Sequence, residues 1–138
     1  MVKILDKETI EHLVIGATIL GTGGGGDPEE GLKTLMNDLE KGRKIILAKA
    51  SELDPESIVA CAYHCGSIPA PSEGRKKKAE RGMLRPEEYI MLGLEVMERR
   101  LNRRVSSIIP TEIGGGNTPA ALHLASMLGV PALDADQV

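Results

Sequence analysis

Apolar residues recur at helical spacing along the first stretch of the chain. Ile10, Leu13, Val14, Ala17 and Leu20 follow the i, i+3, i+4, i+7 rule, which predicts an amphipathic helix over 7–20. Ile15 and Ile19 widen the apolar face, so this helix is expected to be well buried. Asp6 is a favoured capping residue, and Leu5 and Ile10 have the spacing of a hydrophobic staple. Gly21-Thr22-Gly23-Gly24-Gly25-Gly26 ends the helix. Asp27-Pro28-Glu29-Glu30 then reads as the start of a second one, with a cap, a proline at the first helical position and acidic residues in the first turn. Leu32, Leu35, Met36 and Leu39 form its inner stripe, and Gly42 stops it.

The pattern then changes to short apolar runs. A strand is expected over 43–48, around Ile45, Ile46 and Leu47, followed by a turn at Asp54-Pro55. A second strand is expected over 58–63. Residues 64–85 show no periodicity; Pro69, Pro71 and the run from Arg75 to Arg81 predict a long loop. A helix over 86–104 carries Ile90, Leu94, Met97 and Leu101 on one stripe. Its acidic start (Glu87, Glu88) and basic end (Arg99, Arg100, Arg103, Arg104) suit the helix dipole. A strand over 105–109, a helix over 120–128 ended by Gly129 and Pro131, and a strand over 131–134 complete the order. Strands alternating with helices predict an α/β fold, a mainly parallel sheet with flanking helices and Gly-rich turns. At 138 residues, one domain is expected over 1–138.

Composition narrows the function classes. Hydrophobic residues are 41% and charged residues 27%, ordinary for a globular chain. The net charge of −3 supplies no field for nucleic acid, and with no Trp, no Phe and only Tyr63 and Tyr89 there are few stacking platforms. No apolar run is long enough to span a membrane, and the N-terminus has no signal-peptide core. Two cysteines, Cys61 and Cys65, make no disulfide framework, so a cytoplasmic setting is expected.

The chemistry concentrates at Pro110-Thr111-Glu112-Ile113-Gly114-Gly115-Gly116-Asn117-Thr118-Pro119. Glycines between a strand and a helix can offer backbone N–H groups, and the helix start adds its dipole. Gly114, Gly115, Gly116 and Asn117, with Gly23, Gly24 and Gly25 of the first turn, are therefore candidate ligand-binding residues for an anion or a polarised carbonyl. The plain alternative is tight packing. Glu112, Asp134 and Asp136 fall near the ends of two predicted strands and are candidate catalytic carboxylates, as acid and base or as ligands of a divalent metal. Equally, they would cap loop amides. Asn117 and Thr118 are both candidate caps of the following helix, and Asp27 reads as a plain N-cap. Gly21-x-Gly23-x-x-Gly26 matches the dinucleotide pattern formally but follows a helix, not a strand. Cys61 reads as core. Cys65 beside His64 could be an activated thiol, though the structural reading is favoured, and the 75–81 run reads as a solvated loop.

Three motifs in order carry a family resemblance: Gly16-Ala17-x-x-Leu20-Gly21-Thr22-Gly23-Gly24-Gly25-Gly26-Asp27-Pro28, then Pro110-Thr111-Glu112-Ile113-Gly114-Gly115-Gly116-Asn117, then Leu128-Gly129-Val130-Pro131-Ala132-Leu133-Asp134-Ala135-Asp136. Together they resemble the N-terminal domain of the S-methyl-thiohydantoin desulfurase-type family, whose members are associated with hydantoinase and oxoprolinase systems. The resemblance implies hydrolytic removal of a sulfur substituent from a thiohydantoin-like ring. In the family the Asp-x-Asp segment continues into a Gly-Arg-rich motif and a second domain, whereas this sequence stops at Val138. Where the family has a Gly-x-Pro segment leading to Glu-Lys, Gly66-Ser67-Ile68-Pro69 is followed by Glu73-Gly74 without the lysine. The expected function is a hydrolase-like domain binding a small cyclic amide or thiohydantoin between its glycine turns. The alternatives are a non-catalytic binding or assembly subunit and, on the first turn alone, a nucleotide-binding module. The expected partners are a small-molecule substrate and either sister copies or a chain carrying the remaining part.

Overall fold

The computed structural model describes residues 2–63 and 86–137. In chain order the elements are β1 (Lys3–Ile4), α1 (Lys7–Leu20), α2 (Pro28–Glu40), β2 (Ile46–Ala48), a 3-10 turn (Ala50–Glu52), β3 (Ile58–Ala60), α3 (Pro86–Leu101), β4 (Val105–Ile108), α4 (Asn117–Leu128) and β5 (Ala132–Leu133). Contacts divide the chain into two compact units, residues 1–63 with 104–138, and residues 64–103.

The first unit is the α/β body. Its five-stranded sheet has the order β1-β2-β5-β4-β3. β1 is antiparallel to β2, and all other pairs are parallel. α4 joins β4 to β5, which are neighbours in the sheet, so it lies against β2, β4 and β5 while α2 and α1 pack on it. That central position explains its composition. Ala121, Leu122, Leu124, Ala125 and Ser126 are all buried, as expected of a helix surrounded by packed elements. The core gathers Ile10, Val14, Leu35, Ile45, Ile108, Leu122, Ala132 and Leu133 around it.

Local chemistry sets the element ends. Asp6 caps α1 by accepting the Thr9 N–H at 2.8 Å, and Leu5 and Ile10 are both buried, as the staple requires. Thr9, through its side chain and then its amide, holds the Asp6 carboxyl below the usual range. Asp27 caps α2 by accepting from Glu29 and Glu30. Gly129 ends α4 in the left-handed region at φ 71°, the ordinary glycine stop. The second unit's described element is α3, with Arg99 and Arg100 in its last turn and an Arg99–Glu95 ion pair one turn apart.

Several expectations change; among them, α3 ends at Leu101 rather than at residue 104. α1 is not well buried: Ile15 is 58% and Ile19 69% exposed. Its core residues Ile10, Val14 and Ala17 lie on one stripe, and at 100° per residue Ile15 and Ile19 lie about 140–180° away from Ile10. Leu20, counted in the inner pattern, is 68% exposed. The strands are shorter than the apolar runs. Ile45 is fully buried outside β2, and its carbonyl takes the Leu5 N–H at 2.9 Å. Finally, α4 starts at Asn117, not at residue 120. Proline is tolerated in a first turn, where its missing N–H has no intrahelical role.

Candidate functional site

The two glycine turns meet backbone to backbone. The Gly25 carbonyl accepts the N–H groups of Gly116 and Asn117, each at 2.8 Å. These are first-turn amides of α4 that have no partner within the helix. α4 has no side-chain cap, so the first turn caps it in place of Asn117 or Thr118. Thr118 instead takes the Gly114 N–H on its Oγ1 at 3.2 Å, and its own amide bonds the Gly114 carbonyl.

Close approach explains the glycines here. A Cβ at Gly114 would stand 2.4 Å from the Gly25 Cα, and one at Gly115 would stand 2.7 Å from Thr18 Oγ1. A Cβ at Gly116 would stand 2.9 Å from the Asp27 nitrogen. Gly31, inside α2, would place one 2.5 Å from the Gly115 carbonyl oxygen and 2.8 Å from Pro119 Cγ. Gly31 was not singled out from sequence, although an interior helix glycine signals close packing.

The binding candidates divide by what their amides do. Those of Gly114, Gly116 and Asn117 are bonded inside the protein, and that of Gly24 bonds the Gly21 carbonyl at 2.7 Å. Among the described residues, no hydrogen bond engages the amides of Gly23, Gly25, Gly26 or Gly115. Gly23, Gly25 and Gly26 have φ of 95°, 76° and 88°, positive values that glycine takes without the steric cost a side chain would add.

Two helix starts converge on this place. Gly31 of α2 lies against Gly115 and Pro119. Seven residues on, Asp38 reaches His123 and Ser126 of α4. Both contacts advance in the same chain direction, so α2 and α4 run side by side in parallel. Their N-terminal, positive ends lie together at the glycine turns.

The carboxylates are placed unequally. Glu112 is exposed, and its Oε1 accepts the Asn117 Nδ2 at 2.8 Å. An ionised carboxylate can only accept, so the Asn117 amide must turn its NH2 to Glu112 and its oxygen away. Asp136 accepts the Ile113 N–H at 3.3 Å, and Gln137 bonds the Thr111 carbonyl at 3.3 Å. Glu112 and Asp136 therefore meet at the 111–113 segment. Asp134 is exposed and held elsewhere by its amide, which bonds the Ala48 carbonyl at 2.8 Å. Among the described residues no group of three or more His, Cys, Asp or Glu could hold a metal ion. Glu112, Asp134 and Asp136 form no such group among the described residues.

Of the other sequence candidates, Cys61 is a free, half-buried cysteine. His64, Cys65, the 66–74 segment and the basic run from Arg75 to Arg81 lie outside the described residues. No helix among the described residues is long and apolar enough to cross a membrane.

Comparison with known proteins gives this arrangement its relatives. A solved X-ray structure of a protein from Chromobacterium violaceum matches with a TM-score of 0.70 at 21% identity, covering 97% of this chain and 35% of that one. At that identity the likeness concerns the fold, and this chain spans about a third of that protein's length. No curated protein matches the chain. A family model described as "S-Me-THD-like, N-terminal domain" matches residues 8–138, which include both glycine turns and all three candidate carboxylates. The chain therefore belongs to the S-Me-THD-like family, as its N-terminal domain.

Proposed function

We propose that this domain supplies the glycine cradle of a hydrolase-like site for a small cyclic amide or thiohydantoin-type molecule. The observation that carries the reading is the docking of the two turns. It leaves the amides of Gly23, Gly25, Gly26 and Gly115 without a hydrogen-bond partner among the described residues, beside two converging helix starts. Donors of this kind polarise a carbonyl or thiocarbonyl and stabilise the charge that develops when water adds to it. Glu112, steadied by Asn117, is the base that takes the proton from that water. Asp136 orders the 111–113 segment that carries Glu112, and Asp134, exposed and without a described side-chain partner, is the second acid–base candidate. Gly114, Gly116 and Asn117 act by shaping the cradle, since their amides are already bonded.

The test is turnover of 2-thiohydantoin and S-methyl-thiohydantoin, followed by sulfide or methanethiol release. Glu112→Gln is expected to lower kcat by at least about a hundredfold with the fold retained, the scale of a lost general base. Wild-type turnover by that variant would remove Glu112 from the role.

A second reading is favoured by one specific pair of observations. The chain spans 35% of its solved relative, and Ile15, Ile19 and Leu20 are exposed beside the first turn. In that reading the domain binds or assembles, and the remaining family segment, or sister copies of this chain, complete the site. Turnover by a monomeric 138-residue chain, with mass checked by light scattering, would exclude it.

A further inference from the structure

Asp38 is a carboxylate with no exposure to solvent, far along α2 from the glycine turns and unused by the proposed chemistry. Its Oδ1 accepts Arg43 Nη1 at 2.6 Å. Its Oδ2 faces His123 Nδ1 at 2.6 Å and Ser126 Oγ at 3.1 Å. The Ser126 hydroxyl also lies 2.7 Å from the His123 carbonyl; having one proton, it serves one acceptor at a time. The Arg43 amide bonds the Asp38 carbonyl at 2.9 Å. One side chain thus ties the end of α2, the turn leading to β2, and the last two turns of α4.

We propose that Asp38 is a positioning residue for the glycine cradle. Elsewhere along α2 and α4 the packing is apolar, with Leu35, Leu122 and Ala125 buried. Apolar burial is non-directional and tolerates sliding. The cradle is more exacting: its backbones approach so closely that a Cβ at Gly31 would stand 2.5 Å from the Gly115 carbonyl oxygen and one at Gly114 would stand 2.4 Å from the Gly25 Cα. Two helices in parallel also oppose each other's dipoles slightly, which gives register no help. Short charge-assisted bonds fix distance and direction together. From Gly31 to Asp38 is seven residues, about 10 Å along the helix. The polar tie therefore holds the register at one end of the α2–α4 pair and the glycine contact uses it at the other. Fixing register is the best-attested use of a buried polar group. The inference concerns the backbone contact and holds whatever the cradle binds.

The test separates positioning from plain stability. Backbone amide spectra and hydrogen exchange would be recorded for wild type, Asp38→Ala, His123→Gln and Ser126→Ala, with Leu35→Ala as a packing control at the same helix pair. The expected result is graded. Asp38→Ala and His123→Gln shift the Gly114, Gly116 and Asn117 resonances and speed their exchange tenfold or more. Ser126→Ala does so less, and Leu35→Ala lowers the unfolding midpoint without moving those resonances. If Asp38→Ala does not fold, His123→Gln and Ser126→Ala decide the matter. Unmoved glycine resonances in the tie variants, or equal shifts in Leu35→Ala, would overturn the proposal.

Discussion

The two glycine turns look alike in sequence and use glycine for different reasons. The first follows a helix, is largely exposed, and has three glycines and Thr22 at positive φ. The second follows β4 and has none at positive φ; Gly114 and Gly115 are buried. In the first turn, glycine is a conformational requirement at Gly23, Gly25 and Gly26, with close neighbours added at Gly25 and Gly26. In the second it is a requirement for space, since neighbouring backbone occupies the positions of the missing Cβ atoms. Gly25 is the joint between them, with φ of 76° and a Cβ position 2.5 Å from Gly114. The helices that follow differ in the same sense. α2 is capped by its own Asp27 side chain, and α4 by the carbonyl of Gly25. The second turn thus depends on the first for its hydrogen bonds.

The most severe way to break this comparison is Gly114→Ala. The new methyl would lie 2.4 Å from Gly25 Cα and 2.7 Å from its oxygen. No side chain can rotate away, so backbone must move and the Gly25–Gly116 and Gly25–Asn117 bonds stretch. Overpacking of this kind costs about 3 kcal/mol or more when backbone must yield. Urea unfolding measures the loss. A cost near zero would mean that the turns can separate freely.

Gly23→Ala probes the other use of glycine. Nothing lies within 4 Å of its Cβ position, but φ is 95°. The expected cost is therefore strain alone, on the order of 1–2 kcal/mol. The amides of Gly116 and Asn117 should keep their resonances. If Gly23→Ala disturbed them as much as Gly114→Ala, conformation and space would not be separable in these turns.

Much of this was legible in the sequence, and the limits have physical causes. α1 and α2 follow from periodicity and caps because those signals are local: Asp6, Asp27 and Gly129 act on residues within one turn. The meeting of the turns was also legible, as two glycine clusters in one small chain. What the amides would do was not. Free N–H groups at the start of α4 were expected, but a carbonyl more than 90 residues away in sequence takes two of them. The exposure of Ile15 and Ile19 was hidden for a similar reason, because an apolar residue in a helix does not tell which neighbours exist to cover it. The Asp38–His123 tie joins residues 85 positions apart, with no spacing rule to announce it. β1 is two exposed residues, too short for alternation to register.

The smallest effect should come from a glycine outside both turns, and it has the opposite sign. Gly16 lies within α1, its φ is not in the positive range, and nothing stands within 4 Å of its Cβ position. It therefore has neither of the reasons for glycine found in the turns. In this position glycine only adds backbone freedom to the unfolded chain, and alanine should stabilise the domain by about 0.5–1 kcal/mol. A rise of a few degrees in thermal midpoint is the expected reading, since about 1 kcal/mol moves the midpoint by roughly 2–8 °C at this size. Gly16 lies beside the exposed Ile15 and one turn before Ile19 and Leu20. If Gly16→Ala stabilises the isolated chain but weakens its self-association on a sizing column, space is needed there too, for a second copy approaching α1. Unchanged association would leave the turns as the places where this fold needs glycine for contact.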